Sequence, residues 1–127
     1  MDAIDGTIEL KIPADARLLR LVRMLASGLA TGAGFDVDEL DDLRIAVDEA
    51  VSALLEGGGD APLPLVFVVD GSSVVMTGET AGGDAGALDE DRLELSTQIL
   101  AAVCDEHELS VADGTVRVRI CRRAGRS

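Results

Sequence analysis

Between Thr7 and Ile12 the chain alternates, with Ile8, Leu10 and Ile12 on one side and Glu9 and Lys11 on the other. That is the two-residue period of a half-buried strand, and Pro13 ends it. From Asp15 the spacing becomes three and four. Leu18, Leu21, Val22, Leu25 and Leu29 share one helical face through about Thr31, and Gly32 and Gly34 stop the helix. The next helix starts on a capping box, Asp36 with Glu39, with Phe35 and Leu40 at the spacing of a hydrophobic staple. Asp38, Asp41 and Asp42 add negative charge where the helix dipole favours it, so the acidic run needs no metal to explain it. Leu40, Leu43, Ala46, Val47, Ala50, Val51 and Leu54 form the apolar face of this second helix, which runs to Gly57-Gly58-Gly59.

Two short β-rich runs follow, Leu65 to Val69 and Val74 to Thr77, joined by Asp70-Gly71-Ser72-Ser73, whose Asp-Gly pair predicts a hairpin turn. After a small-residue stretch from Gly78 to Gly86, a third helix is predicted from about Asp89 to Val103, with Leu93, Leu95, Ile99, Leu100 and Val103 on its apolar side. A second hairpin closes the pattern: Glu108 to Val111, a turn at Asp113-Gly114, then Thr115 to Cys121. In that last strand Val116, Val118 and Ile120 face one way and Arg117 and Arg119 the other. The order β-α-α-β-β-α-β-β predicts an α+β fold. It is a two-layer α/β sandwich in which a mixed, mostly antiparallel sheet is covered on one face by three helices.

Length and charge narrow the function. A chain of 127 residues fits one domain, 1–127, with a basic tail from about Arg122. With only two aromatics, the core must be built from Leu, Val, Ile and Ala. A net charge of -13 argues against direct binding of DNA or RNA, where each phosphate contact needs a Lys or Arg. Five of the eleven basic residues are Arg117, Arg119, Arg122, Arg123 and Arg126, so the body of the chain is more acidic still. No apolar run approaches the ~20 residues of a membrane span and the start has no signal-peptide pattern, which predicts a cytoplasmic protein. Cys104 and His107 make half of a metal site at most, and no metal site is predicted.

The segment Pro13 to Leu55 carries a resemblance. Ser27-Gly28-Leu29-Ala30, Gly34-Phe35 and above all Leu43-Arg44-Ile45-Ala46-Val47-Asp48-Glu49-Ala50 resemble the anti-sigma regulatory factors of bacterial stress and sporulation switches. These are serine-protein kinases on the histidine-kinase-like ATPase (GHKL) fold. The element order agrees through Gly114-Thr115-Val116-Arg117-Val118, which is similar to that family's closing strand.

The resemblance implies a catalytic base at Glu49 and, four residues on along the same helical face, an Asn that holds the magnesium ion bridging the phosphates of ATP. Here that position is Ala53, whose methyl group coordinates nothing, which leaves Glu49 vestigial as a base. The family's Asp-x-Gly-x-Gly turn falls on Gly78-Glu79-Thr80-Ala81-Gly82-Gly83, which has no Asp; Asp84 and Gly86 are the nearest substitutes as cofactor-binding residues. Its phosphate-cradling Gly-x-Gly falls on Arg92-Leu93-Glu94-Leu95, where side chains replace both glycines. Thr77 and Asp89 are also too close in sequence for a nucleotide turn and a lid.

These departures predict no ATP or Mg2+ cofactor. The chain is expected to be a regulatory protein, a homodimer, that binds a sigma factor or a STAS-type anti-anti-sigma partner to control transcription. Arg17, Arg20 and Arg23, on the side of the first helix away from its leucines, are the partner-binding candidates. They compete with the reading of an ordinary solvated face. The alternative is an active ATP-dependent serine kinase that phosphorylates an anti-anti-sigma factor, with Glu49 as base and Mg2+ held by another group. A third reading is a small-ligand sensor using the vacated pocket.

Overall fold

The computed structural model describes residues 5–81, 83 and 88–125. Strand β1 (Gly6–Ile12) leads through a 3-10 turn (Ala16–Leu18) into α1 (Leu19–Gly32) and then α2 (Val37–Gly57). The hairpin β2 (Leu63–Asp70) and β3 (Ser73–Thr80) follows, then α3 (Glu90–Val103) and the hairpin β4 (Glu106–Ala112) and β5 (Thr115–Arg123). The first helix therefore begins four residues after Asp15, whose carboxylate instead caps the 3-10 turn by accepting the Arg17 amide. Strand β5 takes in Arg122 and Arg123, the start of the segment expected as a basic tail.

The five strands lie in the order β1-β2-β3-β5-β4, and every pair is antiparallel, so the described residues contain no parallel pair of the kind a mixed sheet needs. The cause lies in the connections. β2 with β3 and β4 with β5 are hairpins, and the helical excursions return each following strand beside an oppositely running neighbour. Both hairpin turns need left-handed backbone. Gly71 has φ 61, and Asp113 and Gly114 have φ 54 and 74, the pair of positive values that an Asp-Gly turn supplies.

All three helices cover one face of the sheet. Alternate residues of β2 (Leu63, Leu65, Phe67, Val69) and of β5 (Val116, Val118, Ile120) meet Leu43, Val47, Ala50, Val51 and Leu54 of α2 in one core. α1 buries Val22, Ala26, Leu29 and Ala30. Leu21, expected on that buried face, is 46% exposed. Glu39 completes the capping box and is itself buried, because its second oxygen accepts the Gly125 amide and so ties the start of α2 to the chain beyond β5. The opposite sheet face carries Val66 and Val68 between cross-strand ion pairs such as Arg117 with Glu79 at 2.7 Å, and no described element covers it.

Candidate functional site

Glu49 and Ala53 stand one helical turn apart on α2, on the side that receives α3. Ala53 is fully buried. Glu49 is half-buried and already engaged: the Arg92 guanidinium, from the first turn of α3, reaches its Oε2 at 2.6 Å. Arg92 also bridges to Glu56 Oε2 at 2.9 Å, two turns further along α2. Ser96, one turn on in α3 and fully buried, donates its hydroxyl to the same Glu49 oxygen at 2.6 Å and accepts from Arg92. The hydrogen bond to Glu49 raises the Arg92 pKa above its ordinary value, against the opposing effect of burial and with the charge of Glu56 assisting. The Glu49 charge is thus paired within the protein, through its Oε2.

The start of α3 is acidic as well as capped. The Asp89 carboxylate accepts the Arg92 amide at 2.8 Å, and Glu90 and Asp91 follow it in the first turn. A helix N-terminus attracts anions through free amides and its positive dipole end. Here a carboxylate takes one of those amides and three negative charges surround the rest. The neighbouring backbone is closed up too. A Cβ added to Gly83 would fall 1.9 Å from the Gly58 carbonyl carbon, and one added to Gly57 would fall 2.5 Å from Val116 Cγ2 and 2.9 Å from Leu88 Cδ1.

A second constellation lies on α1. Arg17 is held by Asp15 at 2.6 Å, and Arg23 by Asp48 of α2 at 2.6 Å. Arg20 is exposed and makes no ion pair among the described residues. Beside it on the same helical face stand Leu21 and Met24, 46% and 67% exposed, and across the Arg23–Asp48 bridge Ile45 of α2 is 46% exposed. Hollows flank the patch, one lined by Pro13, Asp15, Arg17, Leu18 and Arg20 and the other by Arg23, Asp41, Arg44, Ile45 and Asp48.

No family model matches the chain. The serine-protein kinase RsbW of Halalkalibacterium halodurans is 30% identical over 88 residues, covering 66% of this chain and 54% of that protein. RsbW of Bacillus velezensis is 46% identical over 43 residues, 34% of this chain and 27% of that protein. In sequence the chain is similar to these RsbW proteins. It spans about half, or less, of the length of the relatives it matches. The crystal structure of the RsbU and RsbW domains of Rv1364c from Mycobacterium tuberculosis aligns with a TM-score of 0.73 over 96% of this chain and 33% of that one. At 17% identity the likeness is one of fold.

Against that RsbW-type fold, the expected nucleotide turn changes character. Gly78, Glu79 and Thr80 continue β3 and pair with Val118, Arg117 and Val116 of β5. Asp84 and Gly86 lie outside the described residues. Leu95, expected on the apolar side of α3, is 52% exposed, while the polar Ser96 takes the buried place because it bonds Glu49. Among the described residues no group of three or more His, Cys, Asp or Glu is arranged to hold a metal. His107 is exposed on β4, and burial pushes the Cys104 thiol up to about 12, far from a reactive thiolate. No described helix is long and apolar enough to cross a membrane. Arg92 carries the polar centre of the site and escaped sequence reasoning as anything but a replaced glycine. Its partner Glu49 is 43 positions away, and no local spacing signals such a pair.

Proposed function

We propose that this RsbW-like chain is a regulatory binding protein of anti-sigma type, which holds a sigma factor, a STAS-type anti-anti-sigma protein or each in turn, without dependence on ATP. One observation carries the reading: the carboxylate at the family's base position is ion-paired to Arg92 and hydrogen-bonded by Ser96. A general base must be aimed at the substrate hydroxyl, and here the Arg92 guanidinium and the Ser96 hydroxyl both hold Oε2 of Glu49 toward α3.

The residues present do not fit a magnesium-bridged triphosphate. Ala53 offers no oxygen, one amide at the start of α3 is taken by the Asp89 carboxylate, and the charges of Asp89, Glu90 and Asp91 oppose phosphate. Asp84 and Gly86 remain as proposed contacts only for the alternative in which a nucleotide binds elsewhere.

For the partner surface the reading takes the α1 patch. Arg20 offers a charge and Leu21, Met24 and Ile45 offer apolar area, the combination found at the centre of protein contacts. Arg17 and Arg23, already bridged, shape its edges. The same reading has the protein in the cytoplasm as a homodimer, which sedimentation of the purified chain checks. The expected outcome for the surface is that Arg20→Glu and Met24→Asp each weaken capture of a sigma factor or STAS-type partner at least about tenfold, with the melting temperature unchanged. Equal capture by both variants refutes this surface.

The opposing reading, an ATP-dependent serine kinase with Glu49 as base, draws on the name that the relatives bear. Incubation with Mg2+, labelled ATP and a STAS-type partner separates the two. No phosphoserine above the level of a Glu49→Gln control is expected, and Glu49-dependent transfer overturns the proposal.

A further inference from the structure

We infer that Arg92 is a built-in clamp, a protein cation that locks α3 onto α2. The inference rests on the reading above that nucleotide is dispensable, and extends it to the state in which the molecule is held.

Little else secures α3. Of its fourteen residues only Ser96 and Leu100 are buried, and one of those two is polar; Leu93 and Val103 contribute partly. A helix so lightly packed would stand at the low-stability end of the fold. The charges make its docking harder still. Glu49 and Glu56 face α3 from α2, and α3 opens with Asp89, Glu90 and Asp91. Without a cation between them, the Glu49 and Glu56 carboxylates would meet the acidic first turn of α3.

Arg92 is the cation bonded to this group. Its planar fork reaches two carboxylates seven residues apart, about 10 Å along the axis of α2, while Nη1 is also shared with Ser96. A lysine, with one point charge, cannot span both. The side chains at the junction are largely withdrawn from solvent, 24% exposed for Arg92 and 15% for Glu49, so the pair is screened less than the surface bridges elsewhere. The α2–α3 junction is therefore closed by residues of the chain itself, and a partner that reads this end of the molecule meets one preformed state.

Backbone hydrogen exchange on the purified chain tests the clamp. Arg92→Met should speed exchange across Leu93 to Val103 about tenfold or more and leave the β2 and β3 amides unchanged, and Arg92→Lys should fall between it and the native chain. Adding Glu49→Gln to Arg92→Met should restore much of the lost protection, because it removes the carboxylate that the clamp neutralises. If Arg92→Met cannot be purified folded, Glu49→Gln alone should loosen α3 selectively. Native-like α3 exchange in Arg92→Met, or no recovery in the double variant, overturns the clamp. Slowed α3 exchange in the native chain on adding Mg2+ and ATP overturns the nucleotide-independent reading instead, and leaves the comparison of the variants to judge the clamp.

Discussion

Ser96 shows how much depends on one hydroxyl. It is fully buried, donates a hydrogen bond to Glu49 and takes one from Arg92, so removing it takes one partner from each member of the ion pair. The net value of an intramolecular hydrogen bond is modest, but a buried charged group left short of a partner costs more. Ser96→Ala is therefore expected to lower stability by about 1–3 kcal/mol. Urea unfolding should show a lower midpoint with an unchanged slope, since no change in exposed surface is involved. A midpoint equal to that of the native chain would mean that water replaces the hydroxyl. The Glu49–Arg92–Ser96 group is thus a structural centre, and its cost of disturbance can be read without any activity.

Among the elements, α2 was the most legible from sequence because its start is encoded within four residues. The Asp36 carboxylate accepts the Glu39 amide at 2.8 Å, and the Glu39 carboxylate accepts the Asp36 amide at 2.8 Å. Asp36→Ala should cost about 1 kcal/mol, read as a drop in melting temperature of several degrees, with faster amide exchange confined to the first turn of α2. The hairpin turns were legible for the same reason, since Asp113-Gly114 takes its left-handed backbone within two residues. What escaped were contacts between distant segments. Five leucine or valine positions suggested one buried face for the first helix; Val22 and Leu29 are buried as expected, but Ala26 and Ala30 are buried with them and Leu21 is left 46% exposed. On α3 periodicity favoured Leu95 over Ser96, because a hydropathy pattern cannot know that a carboxylate from α2 waits for the hydroxyl. The fold was therefore readable nearly throughout. The Glu49–Arg92 pair was not, because Arg92 finds its partner only through the tertiary structure.

At the scale of the molecule, the net charge of -13 conceals an orderly pairing of the scarce cations. Arg122 joins Asp42 of α2 to Asp105 ahead of β4, both at 3.1 Å, and so ties a helix and two strands at one end of the sheet. Burial pushes the Asp105 pKa up, but the Arg123 amide and the Arg122 guanidinium outweigh it and leave the carboxyl below its ordinary value. A carboxyl with a lowered folded-state pKa adds stability that is present above its unfolded pKa of about 3.9 and is lost as pH falls through the lower folded value. Acidification also shrinks the net negative charge and relieves self-repulsion, which acts in the opposite direction. The two effects separate in one substitution, because Asp105→Asn removes the linkage at this site and changes the total charge by a single unit. Urea midpoints taken from pH 7 to pH 2.5 should fall for the native chain below about pH 4. The variant should start lower at pH 7 and lose less over the same interval, so that the two curves converge in acid. Parallel curves would mean that the Asp105 bridge contributes nothing beyond packing, and that the acid behaviour belongs to the other carboxylates.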